Sequence, residues 1–504
     1  MTHTVIIGAG IGGLTAAALL LKAGQRVTVL EAHVYPGGSA GTFYHQGYRF
    51  DAGATLVGGF SEGGPHARLA QVLNLEWPVK PVDPAWVVHL PDGRSITQYS
   101  DPQVWHAERR RVFPQTEPFW QKQKRLADIS WDISTRHFPW PPASLHEMGA
   151  LARAVRPSTL YALPYLTHSI NQLASQNDPL FKTFLDAQLL ISAQTTSEHA
   201  NALYGSAALD LPRRGVNHVK GGVGELAQTL VRWIRQHGGE VLFRQQVTQV
   251  EIGSTGRATA VKTNKSLYIT GDQFLANLTP WGLAELLGSA VPQKLNRELK
   301  QRPATWGAFT LYLGLEAAQL PANLPAHHQV IVDLNMPLGE GNSVFVSLSE
   351  PGDGRAPEGM LAATLSTHTA VTPWWKLYHA QNEAAYQAQR AEYSERLLAA
   401  AANVIPGLRQ SIRLCKPGTP ITFQTFTRRP QGMVGGFPQT SIFKARGPQT
   451  GIANLWLVGD SIFPGQSTAG VTLGGMRVAT AVLQATPPVK SIQIDPFVGI
   501  DMNA

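Results

Sequence analysis

The opening of this chain constrains its fold more than any other stretch. An apolar strand, Val5-Ile6-Ile7, runs through a glycine turn into a small-residue helix. A second strand, Val27-Thr28-Val29-Leu30, then ends on an acid, Glu31. The turn reads Gly8-Ala9-Gly10-Ile11-Gly12-Gly13 and fits G-x-G-x-x-G. Gly8 permits the tight turn out of the strand, and Gly10 lets a pyrophosphate approach the backbone. Gly13, followed by Ala16 and Ala17, lets the helix pack close to the sheet. The N–H groups at the helix start then face the phosphates. Glu31 is placed to accept hydrogen bonds from both hydroxyls of a ribose. With all parts in register, the stretch predicts a dinucleotide site made by Gly8, Gly10, Gly12, Gly13 and Glu31. A glycine turn in an ordinary βαβ unit is the plain alternative.

The rest of the chain alternates between two textures. A glycine-rich stretch, Pro36-Gly37-Gly38-Ser39-Ala40-Gly41-Thr42, precedes an alternating segment that runs into Asp51-Ala52-Gly53-Ala54-Thr55. From about 80 to 210 the sequence is rich in Trp, Pro and Leu and reads as helical segments. The nucleotide-domain texture returns near 215 with Lys220-Gly221-Gly222-Val223-Gly224, a helix, strands over 240–243 and 247–252, and a strand and turn at Leu275-Ala276-Asn277. Residues 290–420 read as a separate unit, with strands over 309–315, 329–332 and 343–348 and one long helix over 374–403. A final strand ends at Val458-Gly459-Asp460, ahead of a small-residue helix. The pattern predicts an α/β fold in which a Rossmann-type domain is built from 1–80, 211–290 and 421–486. A substrate domain of mixed sheet plus helices (81–210 and 291–420) is interleaved with it, and 487–504 form a tail.

Three pieces make one cofactor argument. The first supplies pyrophosphate and ribose contacts. The second brings the backbone of Val247 to where it can pair with an adenine edge. The third places Asp460 against the ribityl or pyrophosphate portion of a flavin. A helix starting near Gly470 and Val471 points its positive end at a flavin carbonyl.

Together these motifs resemble the FAD-dependent amine-oxidase superfamily, and within it the phytoene desaturase and carotenoid isomerase branch. Gly37-Gly38 matches the family's glycine pair, and Asp51, Gly53, Ala54 and Thr55 its segment beside the flavin. Lys220–Gly224 resembles its K-G-G-x-G helix start, and Gly459-Asp460-Ser461-Ile462-Phe463-Pro464-Gly465-Gln466 its G-D-S-x-F-P-G-Q block. Ser39 stands where many members carry Arg or Lys, as is common in the isomerase branch. The stretch Gln466–Thr472 inclines the resemblance toward the cyanobacterial type of C-3′,4′ carotenoid desaturase. The resemblance implies noncovalent FAD, a lipophilic carotenoid substrate, peripheral contact with the cytoplasmic side of a membrane in a bacterial or plastid-like setting, and quinone or oxygen as electron acceptor. The expected reaction is introduction of a double bond at an acyclic carotenoid end. The alternatives are a flavin-dependent cis–trans isomerase, an oxidase of amines or other small substrates, and a non-catalytic pigment or flavin binder. No catalytic residue is nominated. Trp86, Trp105, Trp120, Trp131, Phe138, Trp140, Tyr161, Tyr165, Phe181 and Phe184 are candidate linings of an apolar tunnel, with ordinary core as the alternative.

Composition narrows this reading. One cysteine among 504 residues excludes an internal disulfide framework and a cysteine-cluster metal site, and the 16 histidines show no metal-ligand spacing. Cys415 reads as a buried thiol. The adjacent pair His327-His328 would point in different directions. No secretory signal is read at the start, and no run approaches the roughly 18 apolar residues of a membrane span. Nucleic acid is not expected as a partner, because the charge excess, 42 Lys+Arg against 34 Asp+Glu, is thin for this length. The clusters Arg109-Arg110-Arg111 and Lys122, Lys124, Arg125 alternate with aromatic residues, which suits either an anionic membrane interface or a solvated helix face.

Overall fold

The computed structural model describes residues 1–53, 55–136, 140–142, 145–174, 178–302 and 306–486. Its first layer is a five-stranded parallel sheet, in spatial order Glu240–Leu242, Arg26–Leu30, His3–Ile7, Gln273–Ala276 and Leu455–Leu457. These strands come from all three stretches with nucleotide-domain texture. Strand order reverses on either side of His3–Ile7, so a crevice opens between the carboxyl ends of His3–Ile7 and Gln273–Ala276. A ligand of an open α/β sheet binds in such a crevice.

Small residues let the helices close on this sheet. Helix Ile11–Lys22 packs on the last helix, Thr468–Ala485. A Cβ added at Gly475 would lie 2.5 Å from the Gly12 carbonyl oxygen and 2.9 Å from Thr15 Cβ. Both helices are therefore glycine-rich at their crossing because their backbones nearly touch there.

The second layer is a seven-stranded mixed sheet, in the order Ile412–Gly418, Gly307–Glu316, Met360–Thr369, Ser343–Leu348, His327–Ile331, Trp86–His89 and Ser95–Gln98. All its pairings are antiparallel except that of His327–Ile331 with Trp86–His89. The last two strands depart from the helical reading of 80–210. They form a hairpin whose turn, Pro91-Asp92-Gly93, uses Gly93 at φ 86°. The helix predicted over 374–403 is two helices, Val371–His379 and Glu383–Ala402. Asn382 breaks it, because its side-chain oxygen accepts the Ala385 N–H at 3.1 Å and caps the second helix. Cys415 is exposed rather than buried, since it lies on the sheet's edge strand.

The basic clusters largely resolve into paired residues. Arg109 pairs with Glu117 and lies 5.3 Å from the rings of both Trp105 and Trp120; Arg111 pairs with Glu108 and Lys124 with Asp128. Trp105, Phe113, Phe119 and Trp120 are core rather than interfacial belt. Phe138 and the 487–504 tail lie outside the described residues.

Two buried histidines make the fold acid-sensitive. His66 stacks on Phe60 at 4.4 Å and His327 bonds Ser347 Oγ at 3.0 Å. Burial pushes both rings down to a pKa of about 3, assisted at His327 by the charges of His218, His328 and Arg355. In the unfolded chain each titrates near 6.5. Below that pH the unfolded state binds protons that the folded state refuses. Stability is therefore fully present above about pH 6.5 and falls by about 1.4 kcal/mol per histidine for each pH unit below it, down to the folded pKa. The urea midpoint should drop steadily between about pH 6.5 and about pH 5. A flat midpoint over that window would show the two rings to be solvated.

Candidate functional site

The carboxyl ends of the parallel strands open into one deep cavity of about 1240 Å³. A single-ligand pocket has roughly 300–1,000 Å³, so this one has room for a dinucleotide and a second elongated molecule. One end of it is lined by Gly8, Gly10, Gly12, Glu31, Gly37, Gly38, Ser39, Gly53, Thr55, Val247, Gly459, Asp460, Gly470 and Val471. Residues spread over most of the sequence are thus brought to one surface.

The first turn of helix Ile11–Lys22 is built for an anion. Its N-cap residue is Gly10, which has no side chain to cap with, and the first turn holds no acidic residue. The first-turn N–H groups are therefore left to an outside acceptor at the positive end of the helix. Glu31 is largely buried, and burial raises its pKa. Each of its oxygens accepts one backbone N–H, from Ala9 at 2.7 Å and His33 at 2.8 Å. A carboxylate offers about four lone-pair sites, so acceptor capacity is left for ribose hydroxyls. Gly37 sits at φ 110°, donates to the Ala9 carbonyl at 2.8 Å, and brings the second glycine stretch against the first. Ser39 follows on the same wall, where a Cβ added at Gly53 would lie 3.0 Å from its carbonyl oxygen.

Three expected contacts stand differently. Gly13 does not line the cavity. It lies beneath the turn, where a Cβ would be 2.8 Å from Asn277 Cβ and 2.9 Å from the Gly8 oxygen. Asp51 also does not line it. Its carboxylate is 1% exposed and accepts from Thr42 Oγ1 at 2.6 Å and the Val223 N–H at 2.8 Å, and it pairs with Arg355 at 3.0 Å. Asp51 therefore joins three distant segments instead of touching a ligand. The glycines of Lys220–Gly224 serve that junction, since a Cβ on Gly222 would lie 2.6 Å from Thr42 Oγ1 and 2.8 Å from Asp51 Oδ1. The last helix starts at Thr468 rather than Gly470, because Ser467 Oγ already accepts the Gly470 N–H at 3.0 Å. Ala54 lies outside the described residues.

Some cavity residues carried no motif in the sequence. Asn277 donates to the Gly8 carbonyl at 3.4 Å and sits between the strand ends. Arg429 pairs with Asp460 at 2.9 Å and donates to the carbonyl oxygens of Met433 at 2.8 Å and Gly435 at 2.5 Å. It fixes Asp460 at the cavity wall. The local text Arg428-Arg429-Pro430 gave no hint of an acid in the next strand-end motif.

Beyond Thr55 the cavity becomes apolar. Trp86, Trp120, Trp131, Trp140 and Phe184 line it, whereas Trp105, Tyr161, Tyr165 and Phe181 do not. Gln98 and Gln188 line this half too, but their polar groups are mutually bonded. The Gln188 oxygen accepts from Trp86 Nε1 at 3.1 Å and Gln98 Nε2 at 2.9 Å, and its nitrogen donates to Gln329. The chamber reaches Leu151, Val155, Thr159 and Leu163 beside the surface helices Leu145–Ala154 and Pro157–Leu160. Leu145, Met148, Val155, Leu160 and Leu163 are exposed around it, next to the exposed Arg153 and Arg156. Among the described residues no helix is long and apolar enough to cross a membrane, and no cluster of His, Cys, Asp and Glu could hold a metal.

Comparison with known proteins gives concordant results. A family model described as flavin containing amine oxidoreductase matches residues 11–483. Prolycopene isomerase 2 of the chloroplast, from an Oncidium hybrid cultivar, is 30% identical over 95% of this chain and 83% of its own length. The neurosporene-forming phytoene desaturase of Cereibacter sphaeroides is 24% identical over 96% of this chain and 95% of its own. A solved oxidoreductase from Methanosarcina mazei superposes with a TM-score of 0.63 at 18% identity, covering 95% of this chain and 100% of the other. That last likeness is one of fold.

Proposed function

Because this chain belongs to the flavin containing amine oxidoreductase family, we propose that it is a FAD-dependent enzyme that introduces a double bond into an acyclic carotenoid end. The observation that carries the reading is the continuity of the cavity. A glycine-lined dinucleotide end opens directly into an aromatic, apolar chamber whose far end lies at the protein surface. A long polyene needs such a chamber, and a small polar amine does not. The relatives that act on carotenoids by name, prolycopene isomerase and phytoene desaturase, match along nearly the whole chain.

In this reading the uncapped helix start at Gly10 takes the pyrophosphate and Glu31 the ribose hydroxyls. Val247 borders the adenine, and Asp460, held by Arg429, orients the ribityl portion. A bound flavin supplies a two-electron oxidant. The protein's own work is to hold the carbon skeleton in place and exclude water, because removing hydrogens from a conjugated chain asks little acid–base strength of its surroundings. The one cysteine, Cys415, does not line the cavity, which supports noncovalent binding. Quinone or oxygen is the acceptor class proposed.

Expression in a host accumulating lycopene or a hydroxylated acyclic carotenoid tests this. A product two hydrogens lighter, absorbing at longer wavelength, is expected. The prolycopene isomerase relatives and Ser39 favour a second reading, flavin-dependent cis–trans isomerisation without net redox. Conversion of a poly-cis substrate to an all-trans product of equal mass, with no lighter product, would establish that reading instead.

The exposed apolar residues around the chamber's surface end, with Arg153 and Arg156, are proposed to seat on an anionic bilayer and admit the pigment. Wild-type protein should float with anionic vesicles at low salt. Replacing Leu145, Met148 and Leu160 together by Glu should reduce the bound fraction at least about tenfold, since each buried side chain contributes on the order of 1.5–3 kcal/mol. Equal flotation of the two proteins would rule out this face.

A further inference from the structure

Among the described residues, few polar groups in the apolar half of the cavity lack a protein partner; the Trp131 Nε1–H is one. Ser130 and Ser134 bond the carbonyl oxygens of Leu126 and Ser130, both at 2.7 Å. Gln439 donates to the Pro464 carbonyl at 3.2 Å. Gln194 and His368 differ. Gln194 follows helix Pro179–Ala193 in the left-handed region, at φ 57°. Its residue is 5% exposed, and its side-chain oxygen has no hydrogen-bond partner among the described residues. Such backbone costs on the order of 1–3 kcal/mol in a non-glycine residue, and it concentrates at functional sites. The Gln194 amide nitrogen meets His368 Nε2 at 3.4 Å, and both residues line the cavity.

This pair stands where the two halves of the cavity meet. A Cβ added at Gly435 would lie 2.6 Å from Gln194 Cδ and 2.5 Å from Gln466 Oε1, so the Gln194 side chain abuts the turn before the last helix. The Gly435 carbonyl is held by Arg429, which pairs with Asp460. On its other sides His368 faces Trp306, with ring centroids 6.1 Å apart, and pairs across the sheet with Ala308. The carboxylate of Glu340 is turned to Thr369, the Ala370 N–H and Tyr393.

We infer that His368 is the group that receives the substrate's proton in this cavity, and that Gln194 positions its ring. The inference rests on the desaturation reading. Removing a hydride from one saturated carbon of the polyene, with the bound flavin as oxidant, leaves a delocalised cation. The C–H bond on the neighbouring carbon then breaks. Its electron pair becomes the new double bond, and its proton passes to Nδ1 of the ring, because an amide's oxygen and nitrogen exchange places on a half-turn and the turned Gln194 oxygen then accepts from Nε2–H. A polyenyl cation is a strong carbon acid, so a weak base suffices. Burial holds the His368 ring at a pKa of about 4, which keeps it neutral and ready at working pH. Return of that proton to water is correspondingly easy.

Two variants test the role in flavin-loaded protein. His368→Gln keeps an amide beside Gln194 but takes no proton. It should lower kcat about a hundredfold, within the usual range for a general base. Product-pigment affinity, read by quenching of tryptophan fluorescence, should stay within about threefold. His368→Ala should lose as much and regain at least about tenfold with added imidazole, which a merely structural role would not produce. A His368→Gln rate within about threefold of wild type overturns the inference. So does a loss that follows pigment affinity and shows no rescue. The rate followed is formation of the product two hydrogens lighter. A wild type that only isomerises ends the desaturation reading and this inference with it, whereas desaturation that survives His368→Gln ends the inference alone. A wild type without turnover overturns both.

Discussion

Gly12→Val should abolish stoichiometric flavin, weakening its retention at least about a hundredfold, or about 2.7 kcal/mol. Gly12 lines the glycine-rich end of the cavity, and a Cβ there would stand 3.1 Å from the Val471 carbonyl oxygen and 3.4 Å from Gly459 Cα. Both neighbours are backbone and cannot swing aside. The rest of a valine side chain must enter the space between the two helix starts or push Thr468–Ala485 away from Ile11–Lys22. Overpacking of this kind costs about 1–3 kcal/mol of stability, and it also closes the approach to the uncapped first turn. The measurement is flavin content after gel filtration, followed by titration of the stripped protein with FAD. Gly149→Ala, on an exposed helix with nothing within 4 Å of the added Cβ, is the control and should retain full flavin. Wild-type retention in Gly12→Val would mean that the cofactor's phosphates lie elsewhere.

Asp51→Ala should destabilise the protein by about 3–5 kcal/mol, because it leaves the Arg355 guanidinium buried without its countercharge. The side chains of the pair are 1% and 8% exposed, so solvent screens the interaction little. The same substitution removes the acceptor for the Val223 N–H and for Thr42, loosening the start of helix Gly224–Gln236 and the strand that leads to Gly53 and Thr55. Arg355→Met should cost a comparable amount, and the double variant less than the sum, since neither charge is then stranded. Denaturant unfolding with saturating flavin reads all three. Strict additivity in the cycle would show that Asp51 and Arg355 do not act as a pair.

Much of the glycine-lined end of the cavity was legible in the sequence. The glycine turn, Glu31, Gly37-Gly38 and Gly459-Asp460 are local signals, each set by what a backbone must do to turn tightly or to admit phosphate. They line one end of the cavity. The same local logic misread Asp51, whose motif lies beside the site while its carboxylate faces inward to Arg355, 304 positions on by subtraction of their numbers. The hairpin of Trp86–His89 and Ser95–Gln98 was missed because its strands are short and its aromatic content resembles that of the helices around it, although Asp92-Gly93 was a turn signal. The tunnel aromatics could not be sorted at all. Trp120 lines the cavity and Trp105, 5.5 Å away, does not.

The sequence by itself determined the α/β class, the parallel sheet assembled from separated pieces, and the glycines and acids that line one end of the cavity. Those depend on periodicity and on glycines whose backbone demands are local. Only the tertiary structure decided which residues outside the motifs share the cavity. Gln194, His368, Arg429 and Asn277 belong to different elements, and none sits in a motif. Their meeting depends on how the seven-stranded sheet packs against the helices and the parallel sheet. Long-range packing of that kind has no period or spacing that a linear sequence can display.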